Sequence, residues 1–302
     1  MSGSKNTGSK NTESQVWKAN SGMLALPTVL LSAFALLGHI AVAIAHAKGW
    51  LGALPTITLA TLFAYIAFTP LHEASHGNIA GRSGARRLET LVGWISGLQL
   101  AAPMPAFKVL HLRHHGQTNH ATNDPDMWVV ATGRSSAVRA LTLTLRCFTL
   151  LPHYYLHFFI GAASKTRGAR EQRRVVIGAV VVLAFAVGVL AFAGFGLTLL
   201  FAWVVPAIFA TAILGLLFDW LPHRPHTSRE RYKDTRAIDA PLGIPMLGQH
   251  LHLIHHLYPR VPFYRYRVVF DALRPTLVEK GAPISVPFGG GELAVNHTAP
   301  EL

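Results

Sequence analysis

Apolar and polar positions divide this chain into long blocks. Residues 1–20 are polar and open with a tandem copy, Gly3-Ser-Lys-Asn-Thr7 then Gly8-Ser-Lys-Asn-Thr12, which predicts a disordered low-complexity tail. Residues 23–46 are almost wholly apolar. At about 1.5 Å per residue they are long enough for the roughly 30 Å of a bilayer's hydrocarbon core. After the link 47–50, a second apolar span (51–70) runs straight into Leu71-His72-Glu73-Ala74-Ser75-His76. Residues 89–105 are apolar but broken by Pro103 and Pro105, which predicts an interfacial or re-entrant segment rather than a crossing. Residues 136–160 mix Arg139 and Arg146 with apolar and aromatic side chains, a pattern that suits a helix lying in the interface plane. Residues 175–193 and 197–219 form a second pair of spans joined at Gly194-Phe195-Gly196, and residues 282–302 predict a loose tail. The expected fold is all-α and multi-pass: four transmembrane helices and a cytoplasmic helical cap within a membrane domain at 21–281.

Composition agrees with a membrane setting. The chain is 51% hydrophobic and 14% charged, against about 25% charged in an average soluble domain. Its single cysteine, Cys147, excludes an intramolecular disulfide framework and a thiolate-rich metal site, so a metal must rely on nitrogen and oxygen ligands. The net charge of +13 could serve nucleic acid, anionic lipid or an acidic protein. Where the cations fall decides this. With four crossings, only Lys48 of the 27 Lys and Arg lies in a loop on the side opposite the histidine-rich segments, and none lies inside a span. This positive-inside bias puts the histidine-rich face in the cytoplasm, as in a bacterial inner membrane, and removes nucleic acid as an expected partner.

The candidate chemistry is histidine. His111-Leu-Arg-His114-His115 recurs with the same spacing as His252-Leu-Ile-His255-His256. On a helix, positions i, i+3 and i+4 share a face, so each segment can point three imidazoles into one small volume. His72 and His76 sit four apart at the end of the second span, and His223 sits just past the last one. Those nine imidazoles are too many for one zinc-like ion with about four ligands and fit two ions better. Glu73, Asp124, Asp126 and Asp219 stand nearby and could orient imidazole N–H groups; for Asp124 and Asp126, turn-capping in Asn123-Asp-Pro-Asp126 is an equal reading.

The set His72-xxx-His76, His111-xx-His114-His115 and His252-xx-His255-His256 resembles the three histidine boxes of the membrane fatty acid desaturase/hydroxylase superfamily. Three further runs, Asp219-Trp-Leu-Pro-His-Arg-Pro225, Gly248 to Leu257 and Pro262-Phe-Tyr-Arg-Tyr266, are similar to its desaturase-related β-carotene hydroxylase branch. The resemblance covers roughly residues 50–283. It implies two irons held by the nine histidines, His223 among them, O2 as co-substrate, and a lipid substrate. A carotenoid ring is the first expectation and a fatty acyl chain the alternative. His250 stands where that branch often carries Asn, so it is either a ligand or a support behind the ligands. Attack on an unactivated C–H bond needs a redox metal rather than side-chain acids and bases. No dinucleotide-binding glycine motif is visible, so electrons must come from a separate donor. Arg82, Arg86, Arg87, Arg170, Arg173 and Arg174 could dock an acidic ferredoxin-like protein, or serve only topology and anionic lipid.

Two other functions compete. His72-Glu73-Ala74-Ser75-His76 also reads as the zinc-protease motif H-E-x-x-H with Glu73 as base, although that leaves both H-x-x-H-H clusters unexplained. A histidine-lined metal transporter would place its ligands near the bilayer midplane, where only His39 and His46 lie. His153 and His157, among Tyr154, Tyr155, Phe158 and Phe159, read as an interfacial aromatic belt.

Overall fold

The computed structural model describes residues 7–286. Helix α1 (Thr7–Ala19) precedes a long antiparallel hairpin of α2 (Leu26–Ala47) and α3 (Ala53–His76). A second, shorter hairpin follows, α4 (Arg86–Gln99) and α5 (Met104–Gln117), then α6 (Ser136–Phe148), α7 (Leu150–Phe159) and α8 (Arg167–Leu190). Helical backbone continues almost unbroken from Arg167 to Trp220. Beyond it lie a short helix, His252–Leu257, and a C-terminal helix, Tyr266–Glu279.

Among the described residues, three helical stretches are long and apolar enough to cross a membrane: Leu26–Ala47, Ala53–His76 and the 54-residue run Arg167–Trp220. The last does not run straight. Gly194 departs from helical backbone, with φ +90°. Leu183, Ala186 and Leu190 before it share an apolar cavity of about 260 Å³ with Thr198, Ala202 and Trp203 after it. In a straight helix Leu183 and Trp203 would stand about 30 Å apart. The run therefore folds back at the glycine, as the Gly-Phe-Gly break predicts. Wide turns over Leu200–Val204 loosen the backbone, and the His39 ring is bonded through Nε2 to the Ala202 carbonyl at 2.6 Å. His39 thus has a packing role within the helices.

The prolines at 103 and 105 do not end a single helix; they start a new one. Ala101 has φ +52°, and the N–H of Ala102 donates to the Gly97 carbonyl, reversing the chain. A Cβ on Gly97 would come within 2.3 Å of the Ala102 oxygen, so only glycine admits the turn. At 14 residues each, α4 and α5 are about 21 Å long and too short to span. They insert beside α3 and bring the α5 histidines level with its end.

Two expectations are corrected. The N-terminal segment forms a helix over Thr7–Ala19, within the disordered tail expected at 1–20, of which residues 1–6 lie outside the described residues. Val16 and Trp17 pack on the C-terminal core, Trp17 stacks on Tyr258, and the buried Glu13 carboxylate accepts from the hydroxyls of Tyr232 and Tyr258. Tertiary partners thus hold a segment whose own pattern predicts disorder. The tail expected at 282–302 begins with strand β2 (Ile284–Ser285), which pairs in parallel with β1 (Ala237–Ile238), a small departure from an all-α fold. The remainder of that tail, from 287, lies outside the described residues.

Candidate metal centre

Helix α3 ends at a left-handed Gly77 (φ +75°), which leaves His72 and His76 on its last turns. Helix α5 carries His111, His114 and His115 on one side. Gly248 makes the turn that aims the third cluster; its φ is +81°, and a Cβ there would press within 2.8 Å of the Phe263 carbonyl. Leu253, Ile254 and Leu257 then sink into the C-terminal core, so His252, His255 and His256 face the other way.

These elements gather all nine imidazoles into two groups. His72, His76, His111, His115 and His255 form one; His114, His223, His252 and His256 form the other. Within the first, Nε2 atoms approach at 2.9 Å (His72–His255), 2.8 Å (His76–His111), 3.2 Å (His111–His115) and 2.7 Å (His115–His255). In the second, His114–His256 and His223–His252 approach at 3.2 and 3.1 Å. Two nitrogens each about 2.1 Å from one ion and at right angles would be about 3.0 Å apart. The spacing therefore fits imidazoles sharing an ion.

The outer nitrogens show the same design. His114 Nδ1 is 2.9 Å from Asp124 Oδ1 and 3.2 Å from Asp126 Oδ2. His255 Nδ1 is 2.9 Å from the Tyr266 hydroxyl. His256 Nδ1 is 3.8 Å from Asp234 Oδ2, and His72 Nδ1 is 3.6 Å from Glu73 Oε1. An acceptor behind Nδ1–H fixes the tautomer that leaves the Nε2 lone pair pointing inward. Burial, and after it the neighbouring imidazoles, hold His111, His115, His223, His252, His255 and His256 well below the ordinary histidine range, as neutral ligands must be. His114 is the exception. Burial pulls it down, but Asp124 and Asp126 push it up to about 10, so without an ion it would hold a proton between the carboxylates.

The supporting residues divide. Asp124 does both jobs considered for it: it accepts from the Asp126 N–H as a cap and from His114. Asp219 lies 3.4 Å from the Tyr154 hydroxyl, beside the same carboxylates. Glu73 is turned behind His72, accepting from Asn78 and the Phe263 N–H, and so does not face the cage as a protease base would. His250 is buried but belongs to neither group. His153 stacks on Trp128, and His120 accepts backbone N–H groups in its own turn. Three supporting residues escaped the sequence reading. Tyr266 lay inside a quoted run without a role, Tyr154 was hidden in an aromatic cluster, and nothing around Asp234 signalled it.

A cavity of about 50 Å³ reaches His72, His111, His114 and His252. Its walls include Phe68, Leu71, Phe107, Leu150 and Phe218.

Fold and site together define an integral membrane protein whose buried histidine clusters are built to hold metal. Sequence comparison narrows this. The profile of the family described as fatty acid desaturase matches residues 48–288, and the chain belongs to that family. It is similar to an sn-1 acyl-lipid omega-3 desaturase (ferredoxin) of Synechocystis sp., 24% identical over 72% of this chain and 66% of that protein. It is also similar to a fatty acid conjugase of Calendula officinalis (23%, over 68% of this chain and 63% of that one) and a chloroplastic omega-3 fatty acid desaturase of Glycine max (24%, 68% and 50%). The chain thus spans between half and two thirds of the length of these relatives.

Proposed function

We propose that this protein desaturates a fatty acyl chain within the membrane, using two irons, O2 and an external electron donor. The observation that carries the reading is the pair of imidazole groups beside a mainly apolar cavity. The five-imidazole and four-imidazole groups would each hold one iron. The irons would supply reductive activation of O2, which side chains cannot. Overall, –CH2–CH2– plus O2, two electrons and two protons becomes –CH=CH– plus two waters. The protein's residues align the chain, exclude bulk water and hold each imidazole in its ligating tautomer. The apolar side chains Phe68, Leu71, Phe107, Leu150 and Phe218 along the cavity suit a methylene chain.

With the folded-back run supplying crossings three and four, the chemistry would lie at the cytoplasmic face, a reading supported by the bias of Lys and Arg toward the histidine-bearing side. A ferredoxin-like donor could reach it there, and the name of the Synechocystis relative supports such a partner. Hydroxylation of a carotenoid ring is the second reading, favoured by the runs Asp219 to Pro225 and Pro262 to Tyr266. Expression in a β-carotene-producing bacterium, with fatty acids and pigments profiled together, separates the two. New unsaturated acyl chains support desaturation; hydroxylated carotenoids with unchanged acyl chains refute it.

A further inference from the structure

Tyr154 stands where two cavities meet. The inner one touches the imidazole groups. The second lies between α5 and α7, along Pro103, Ala106, Leu110 and Tyr155. Ala102, Phe107, Leu151 and Tyr154 line both. The outer groove is almost purely apolar, and Leu156 on α7 and Ile160 just past its end are exposed, as suits a surface against lipid. A chain sliding in from the bilayer would pass the Tyr154 ring before reaching the cage.

Of the four shared residues, Tyr154 alone is tied by a polar end. Its hydroxyl donates to Asp126 Oδ1 at 2.6 Å, with Asp219 Oδ2 a longer acceptor at 3.4 Å. Asp126 in turn lies 3.2 Å from His114 Nδ1. Burial and the adjacent carboxylates hold the phenol proton well above its ordinary range, so the donor persists. Phe107 and Leu151 can change rotamer as a chain arrives; Tyr154 cannot without breaking a buried, charge-assisted bond. Its ring is the fixed point of the path.

We propose that Tyr154 determines specificity, its fixed ring setting the path along which a chain entering between α5 and α7 meets the imidazole cage and so which carbon faces it. This rests on the acyl reading above. Its test uses the full chain in a bacterium supplied with defined fatty acids. Double-bond positions and chain lengths are read by mass spectrometry, and iron is measured in the purified protein. Tyr154→Ala is expected to move the double bond by at least one carbon or admit longer chains. Tyr154→Phe, which keeps the ring but frees it, is expected to keep the main position and add neighbouring ones. Both are expected to keep their iron. Should Tyr154→Ala fail to accumulate, Tyr154→Leu carries the same readout. Unchanged positions and lengths with iron retained overturn the proposal, and so does activity lost only in proportion to iron. If the unaltered protein makes no unsaturated product at all, the acyl reading fails first and takes this inference with it.

Discussion

Replacing Asp124 by Asn tests whether the carboxylates behind the histidines tune the metal site or merely cap a turn. The buried Asp124 side chain takes three hydrogen bonds: from His114 Nδ1 at 2.9 Å, from the Asp126 N–H at 2.9 Å and from the Asn119 N–H at 2.7 Å. Asparagine has the same shape and caps turns well, so Oδ1 can still serve His114 and Asp126. Its NH2 group then meets the Asn119 N–H, leaving a buried donor without an acceptor at a cost of about 1–3 kcal/mol. The bond to His114 also loses its charge. Outer partners of this kind are worth about 10- to 100-fold in metal affinity, or roughly 1.4–2.7 kcal/mol. The expected result is iron lost selectively from the four-imidazole group, with the protein still folded in the membrane. Competition with a chelator, titrated against purified protein, measures it. Asp124→Asn protein that binds two irons as tightly as the unaltered chain would falsify the tuning role and leave Asp124 a turn cap.

Three further outcomes are expected. Alanine at His111, His115, His252 or His256 should abolish product while leaving the protein in the membrane fraction; turnover retained in all four removes them from the site. His153 is depressed to about 4 from 6.5, chiefly by burial. Its contribution to stability is therefore present above pH 6.5 and lost as pH falls through 4. His153→Phe, which keeps the stack on Trp128, should flatten the acid side of a melting-temperature profile, and an unchanged profile refutes this. Glu13→Ala strands the hydroxyls of Tyr232 and Tyr258 and should cost about 1–2 kcal/mol in thermal unfolding without loss of iron; an identical melt would show that α1 adds nothing to the fold.

The imidazole clusters were legible because helical spacing is local information. The i, i+3, i+4 pattern that sets His111, His114 and His115 on one face needs no tertiary knowledge, nor does the placement of His72 and His76 at a span's end. Their supports come from afar. Tyr266 reaches His255 across an intervening turn, and Asp234 reaches His256 from a polar segment without periodicity. Such partners are fixed by where loops happen to pass. The α4–α5 hairpin was half legible: two prolines announced a break, but only Gly97 and the left-handed Ala101 show that the break is a reversal. Helix α1 was not legible, because Val16, Trp17 and Glu13 gain meaning only from the surface that receives them.

The two imidazole groups differ in a way their ligand counts alone do not explain. The group with five histidines is backed by a phenol at His255 and by Glu73 at a long 3.6 Å from His72. The group with four is backed by Asp124 and Asp126 at His114 and by Asp234 behind His256, with Asp219 close by. A carboxylate accepting Nδ1–H makes the opposite nitrogen a stronger donor. The group with fewer imidazoles would thus offer the stronger donors, and the carboxyl groups collect on that side. Tyr154 is bonded to the same carboxylates and lines the cavity. The carboxyl groups that would steady one ion position therefore also hold the wall against which a lipid chain would lie, so altering that wall and altering that position are expected to be coupled perturbations.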